Sequence, residues 1–307
     1  MSPSLHLPDD VGTDLLAAPR GPLRRVDPEA LFSLDALRRA WLKVRAAGGG
    51  PGVDGVTIRR FEKELEANLA ALRAELLAGR YRPYPVKRLL APKPGGGLRP
   101  IALWALRDRV VQRLVHDCIA PYFERHFLDC SFGFRPGRGV ADAVQAVLAH
   151  RDANRRWVAD VDIKDCFDSL DPNLLMRFVR RQVKDPTILR LIRAWLNARV
   201  FNALRGPWTR AGASQGAVIS PLLANVYLHQ VDLQLTGQGY HLVRYADDLV
   251  ICCRRKREAQ RAMEATAVAL RRVRLQINPH KSRLVHFDQG FQFLGVFFLR
   301  NEHFYLG

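Results

Sequence analysis

A chain of 307 residues, 48% hydrophobic and 25% charged, has the composition of a folded globular protein with one large or two modest cores. No apolar run approaches the roughly 20 residues a membrane span needs. The opening Met1-Ser2-Pro3-Ser4-Leu5-His6 lacks a basic-then-apolar signal pattern, so a cytoplasmic protein is expected. Forty arginines and eight lysines leave a net charge of +18, which favours a polyanionic partner, most simply nucleic acid. The five cysteines are odd in number and contain no C-x-x-C pair, which argues against a disulfide framework or a zinc site.

Residues 1–30 carry five prolines and little periodicity and are expected to form a loosely ordered arm. Ser33 caps a predicted helix to about Ala47, with Leu34, Leu37, Trp41 and Leu42 on one side. Gly48 to Gly52 ends it. Thr57 caps a second helix through Phe61, Leu65, Leu69, Leu72 and Leu76 that stops at Gly79. The period then changes. Residues 85–91 and 98–103 read as strands of a hairpin whose tip is Pro94-Gly95-Gly96-Gly97. A helix follows from about Arg107 to Phe127, then the basic, glycine-rich loop Ser131 to Gly139. Gly137 and the helix after it either hold a phosphate on backbone amides or form a plain surface loop. Trp157 to Ile163 reads as a strand, and Asp171-Pro172 opens a helix. Further helices are predicted near 186–198, 217–233 and 256–273, and strands near 283–287, 291–299 and 303–306.

Between the last two helices lies Tyr245-Ala246-Asp247-Asp248, flanked by the short apolar runs Tyr240 to Arg244 and Leu249 to Cys253. The second run is apolar throughout, as in a strand covered on both faces. Adjacent carboxylates are poor core residues, so they belong in a turn at a sheet's rim, facing water or a metal. An ordinary acidic hairpin turn is the alternative. Asp162 ends the 157–163 strand, with Asp160 on the same face. Such a strand beside the hairpin gathers three carboxylates at one sheet edge, where they repel unless cations join them. Hard divalent ions suit oxygen ligands. Two of them about 3.5–4 Å apart clamp the attacking and leaving oxygens of a phosphoryl transfer.

The order of motifs resembles that of the reverse transcriptases of bacterial group II introns and their relatives, including those attached to CRISPR adaptation systems. The motifs are Gly52-Val53-Asp54-Gly55, Lys93-Pro94-Gly95-Gly96-Gly97-Leu98-Arg99-Pro100, Ser131-Phe132-Gly133-Phe134-Arg135-Pro136 and Asp162-Ile163-Lys164 through Phe167-Asp168. Gln215-Gly216 with Ser220-Pro221-Leu222-Leu223-Ala224-Asn225, the Tyr245 to Asp248 stretch, Asn278 to Ser282 and Phe293-Leu294-Gly295 complete the set. The resemblance covers about residues 30–300. It implies an α+β fold: right-hand polymerase fingers and palm, a ferredoxin-like antiparallel palm sheet with helices, and no evident thumb. The implied division is an arm (1–30), a helical extension of the fingers (31–82), fingers (83–155), palm (156–170), a fingers/palm helical segment (171–212) and palm with primer-grip strands (213–307).

The implied activity is RNA-directed DNA polymerisation, extending a primer 3′-hydroxyl with dNTPs by two Mg²⁺ ions, Mn²⁺ being a substitute. Residue by residue, the resemblance assigns both metals to Asp162 and Asp247, with Asp248 beside them and the Ile163 carbonyl as an extra ligand. Phe167 would fill the space of a 2′-hydroxyl, the group that separates RNA from DNA; a core phenylalanine is the plain alternative. Lys93 and Arg99 would close onto the triphosphate, with Arg88 a further candidate, or else form a solvated basic hairpin. Lys281 would reach the β/γ-phosphates or protonate the leaving group, unless it is a surface lysine. Gln215 and Gly216 would support the nascent base pair and template, or form a plain turn. Phe293-Leu294-Gly295 would grip the primer strand, and Arg135 would touch template or fingers. The implied partners are an RNA template, a DNA or RNA primer and dNTPs. The chain stops about a dozen residues after Gly295, so either the sequence is cut there, or the protein works without that thumb, or a protein partner supplies thumb or integrase function. Intron mobility, CRISPR spacer acquisition and phage defence are the implied programmes. Two rivals remain: an RNA-binding scaffold subunit with a dormant palm, and a palm-fold nucleotide cyclase, which the fingers hairpin, Phe167 and the positive charge disfavour.

Overall fold

The computed structural model describes residues 21–92, 98–201, 209–210, 212–213 and 216–306. The first helices begin where side chains take up free amides. Asp27 caps α1 (Pro28–Leu31), and the Ser33 hydroxyl accepts from the Ala36 amide at 3.3 Å to open α2 (Leu34–Ala47). Thr57 opens α3 (Ile58–Lys63). The single helix expected after Thr57 is broken at Glu64, and α4 (Leu65–Leu77) starts anew. The break lets Phe61 stack on Trp41 of α2, ring centroids 4.7 Å apart. Leu69, Leu72 and Leu76 then face the same core.

β1 (Val86–Pro92) and β2 (Leu98–Leu103) form the expected antiparallel hairpin, in register from Lys87 with Leu103 to Pro92 with Leu98. Its tip lies outside the described residues. Next come α5 (Leu106–Glu124), α6 (Val140–Asp152), β3 (Trp157–Asp162), α7 (Cys166–Ser169), α8 (Pro172–Gln182) and α9 (Pro186–Leu196). Aspartate caps followed by proline start both α8 and α9. β4 (Arg199–Phe201) and β5 (Thr209–Arg210) join the hairpin in a sheet of order β2-β1-β4-β5. From residue 21 on, the predicted arm has a fixed course. The Leu23 amide donates to Gln182 at 2.7 Å, its carbonyl accepts from Lys184 at 2.7 Å, and the Val26 amide donates to Asp185 at 3.0 Å.

The remainder is α10 (Ser220–Gly237), β6 (His241–Tyr245), β7 (Asp248–Cys253), α11 (Lys256–Arg272), β8 (Arg283–His286), β9 (Phe291–Phe293), β10 (Val296–Leu299) and β11 (Glu302–Tyr305). The strand expected over 291–299 is thus two strands. Leu294 and Gly295, with φ of 52° and 73°, form a two-residue hairpin turn between them. β9, β10 and β11 make a small sheet of order β11-β10-β9.

The central sheet has the order β6-β7-β3-β8, antiparallel throughout. With helices between β3 and β6 and between β7 and β8, this is the ferredoxin-like β-α-β-β-α-β arrangement. Leu249, Ile251 and Cys253 of β7 join the main core, where α11 packs on β3 and β7. Val250 and Cys252 on the other face join a second core with Ala143, Val144 and Val147 of α6 and with Phe287, Phe291 and Phe298. Burial on both faces is why β7 reads as an unbroken apolar run. Among the described residues no helix is long and apolar enough to cross a membrane.

Candidate active site

The second face of the sheet changes character along β3. Val158 is buried, but Asp160 and Asp162 follow on the same face, opposite Val250 and Asp248 of β7. Asp162 is the direct partner of Asp248. Its amide donates to the Ser282 hydroxyl at 3.0 Å and its carbonyl accepts from the Asn278 amide at 2.8 Å. Both backbone groups therefore point away from β7. Asp162 and Asp248 form the closer, non-hydrogen-bonded kind of pair, with Cα atoms about 4.5 Å apart. Asp247 is one residue back, in the β6–β7 turn, where Ala246 holds a φ of 57°. Ile163 bridges Ile277 through bonds made by its neighbours: Asn278 to the Asp162 carbonyl, and Lys164 to Gln276 at 2.9 Å. Its own carbonyl is thereby directed to the opposite side of the strand, the side of the Asp247 turn. Lys281 Nζ lies 3.9 Å from Asp162 Oδ1, and Arg283 Nε 3.0 Å from Asp160 Oδ2.

The charges in this row act on one another. Burial, then the charge of Asp162, raises the Asp247 carboxyl above the usual range. Asp248 is pushed up to about 6 by desolvation, then by Asp247, Asp162 and Asp160, while Lys281 pulls it back. Asp248 is open to water on one side, and water screens it there; the mutual repulsion is the informative part. Among the described residues no three His, Cys, Asp or Glu side chains are grouped so as to hold a metal ion by themselves. The acids form instead an open row of oxygen donors that repel one another. That donor set fits Mg²⁺, which retains water and phosphate oxygens in its shell rather than requiring an all-protein cage.

The turn is held from beneath by a group that motif reading does not single out. Arg244, fully buried, makes a bidentate pair with the fully buried Asp232 of α10, at 2.8 and 2.6 Å. The same guanidinium donates to Asn225 Oδ1 and to the Ala246 carbonyl, both at 2.9 Å, and to the Ser131 hydroxyl at 2.7 Å. Asn225 in turn donates to the Gly133 carbonyl at 2.8 Å. A Cβ on Gly133 would lie 2.4 Å from the Ala246 nitrogen, so the Ser131–Phe132–Gly133 segment packs backbone to backbone against the turn. The available signal was a charge inside a buried strand, with Asn225 and Asp232 seven residues apart on one face of a helix and both buried.

The family profile described as reverse transcriptase (RNA-dependent DNA polymerase) matches residues 91–298, more than half of the chain. The chain belongs to the reverse transcriptase family. Protein YkfC of Escherichia coli (strain K12) is 32% identical over 296 residues, covering 83% of this chain and 77% of YkfC. Group II intron-encoded protein LtrA of Lactococcus lactis subsp. cremoris is 33% identical over 180 residues, covering 58% of this chain and 28% of LtrA. Among solved structures, a chain of a partial Cas6-RT-Cas1--Cas2 complex is similar with a TM-score of 0.47 and 22% identity, covering 80% of this chain and 41% of that chain. The chain therefore spans most of YkfC but less than half of the other two.

Within this reverse transcriptase domain the remaining expected site residues fall as follows. Phe167 of α7 is half-buried and packs on the main core just after β3, where Asp165 adopts a left-handed φ of 44°. Gly216 has a φ of 110°, and a Cβ there would lie 2.4 Å from the Ala102 carbonyl; the close approach this glycine permits is to β2. Lys93 and Gln215 lie outside the described residues, and Arg99 is placed through its backbone, opposite Ala91. Arg88 of β1 pairs with Asp168 of α7 at 3.3 Å, linking the hairpin to the segment after Asp162. Two sets of alternatives are narrowed. Of the contacts expected for Arg135, template or fingers, the structure shows the one within residues 83–155: the side chain is buried, pairs with Glu124 at 2.6 Å and donates to the Leu128 and Ser131 carbonyls. The α6 amino end takes its own Asp142 carboxylate on the Gly139 amide at 2.6 Å, which leaves the surface-loop alternative rather than a phosphate site.

Proposed function

We propose that this chain is an RNA-directed DNA polymerase that extends a primer 3′-hydroxyl with dNTPs on an RNA template. The register that makes Asp162 and Asp248 cross-strand partners, with Asp247 beside them, carries this reading. Asp162 and Asp247 would hold two Mg²⁺ ions, or Mn²⁺ in their place, with Asp248 and the Ile163 carbonyl alongside. Bound there, the ions would supply positive charge to stabilise the charge that develops on the transferred phosphate. The chain's own side chains do the rest. Lys281, 64% exposed and beside Asp162, neutralises the phosphates and donates a proton toward the leaving group. Phe167 closes the space of a 2′-hydroxyl and so selects dNTPs. Lys93 and Arg99 bring cations of the fingers hairpin to the triphosphate, and Gln215 and Gly216 support the nascent pair. Phe293-Leu294-Gly295 grips the primer strand from the β9–β10 turn.

In this reading, residues 83–155 are fingers with 31–82 as their helical extension, 156–170 and 213–307 are palm, and 171–212 joins the two. The likeness to LtrA, described as a group II intron-encoded protein, supports an intron-related origin; intron mobility, spacer acquisition from RNA and phage defence all use this reaction.

The deciding experiment is dTTP incorporation on poly(rA)/oligo(dT) with and without Mg²⁺. Asp162→Asn and Asp247→Asn should each reduce extension to background while binding of the same template–primer persists. Polymerisation retained in either variant overturns the assignment.

A further inference from the structure

Phe134 is 53% exposed and has a φ of 61°. The left-handed region is strained for any residue with a Cβ, and more so for a bulky one. A ring left in water gains little packing to offset that strain. Its neighbours hold it there. Gly133 is locked against the Ala246 nitrogen and accepts from Asn225 at 2.8 Å. Arg135, on the other side, is buried and paired with Glu124 at 2.6 Å. The backbone is pinned on both sides, and the ring between them is presented to solvent. Retained strain of this kind beside a catalytic turn is a mark of function.

The sheet order says which part of a substrate the ring meets. Residues 130–132 run beside β6: the Phe132 amide donates to Arg244 and the Arg244 amide to Cys130, each at 2.8 Å. β6 is one edge of the sheet β6-β7-β3-β8. Phe134 therefore lies beside β6, and Phe167 follows β3, two strands further in. In the polymerase reading, an incoming nucleotide beside Phe167 leaves the β6 side of the acids for the strand being extended. We propose that Phe134 is a contact residue for the primer: its ring packs against the sugar and base edge of the 3′-terminal nucleotide, whatever the base. This rests on the polymerase reading above.

The test exploits opposite signs. Phe134→Gly suits the backbone, so the melting temperature of the full chain should stay level or rise. Its Kd for 5′-fluorescein-oligo(dT)/poly(rA), read by anisotropy without turnover, should weaken by about 5- to 100-fold, the range for losing one base–aromatic contact. Phe134→Tyr should restore the wild-type Kd, and KM for dTTP should move less than twofold in either variant. A wild-type Kd in Phe134→Gly overturns the proposal. So does a fall in melting temperature, which would make the ring a packing element. If the wild-type chain does not extend primers yet Phe134→Gly still weakens binding, the polymerase reading fails and the contact stands. If extension is normal and Kd is indifferent to Phe134, only the contact fails.

Discussion

Arg244 and Asp232 are both removed from water, and neither charge is tolerable there without the other. Their attraction is offset by desolvation, so the pair is not by itself a large source of stability. Its geometry is what matters, because the same guanidinium holds the Ala246 carbonyl and hence the acidic turn. Asp232→Asn leaves the arginine buried and uncompensated. Urea unfolding should show a loss of about 3–5 kcal/mol, the usual cost of breaking a buried pair from one side. Phe167 invites a different experiment, since its half-buried ring rests on the core by one side only. In Phe167→Ala the preference for dTTP over UTP, measured as the ratio of kcat/KM, should fall by about 10- to 100-fold, the scale on which a pocket discriminates a hydroxyl-sized difference. An unchanged ratio would return Phe167 to being a plain core residue.

At the scale of elements, α5 begins with a buried acid. Asp108 accepts from the Tyr81 hydroxyl at 2.6 Å and the Tyr84 amide at 3.0 Å, tying the segment before β1 to the start of the helix. Burial nonetheless pushes its carboxyl up to about 6, against an ordinary value of 3.8. Between those values the folded chain keeps a proton that the unfolded chain has lost. This group's contribution to stability is therefore full below about 4, declines as pH rises to about 6 and is level above that. A shift of this size corresponds to at most about 3 kcal/mol. Thermal unfolding of wild type and Asp108→Asn from pH 4 to 7 should show the decline in the first and its loss in the second; parallel curves would exclude Asp108 as the source.

Across the whole molecule, a charge of +18 sets the conditions under which any nucleic-acid interaction is measurable. Arg254, Arg255, Lys256 and Arg257 form an exposed run just past the end of β7, at the opposite end of the strand from Asp248. Positive charge therefore extends well beyond the acids. Binding to an RNA–DNA duplex should weaken by about 10³-fold or more between 50 and 200 mM salt, as expected for several phosphate contacts. The slope should be the same in Asp247→Asn, because that carboxylate contributes no counterion release. A flat salt dependence would mean that the surplus arginines face solvent only.

Much of this architecture was legible in the chain because it is decided by near neighbours. Ser33, Thr57 and Asp171 mark helix starts through bonds to amides two or three residues away. The 85–103 hairpin and the strands around Asp162 and Asp247 follow from apolar runs broken by glycine or acid. Those local signals sufficed to place the elements and to nominate the acids, while the fold followed from the resemblance of the ordered motifs to group II intron reverse transcriptases. Tertiary structure alone decided the rest. The helix break at Glu64 answers to Trp41, the glycine at 216 to Ala102, and the burial of Arg135 to Glu124. The coupling of Arg244 to Asp232 and the strained exposure of Phe134 depend on which backbones meet beneath the turn. Propensity and periodicity act over a few residues, whereas buried charge, close backbone approach and retained strain arise only where distant segments meet.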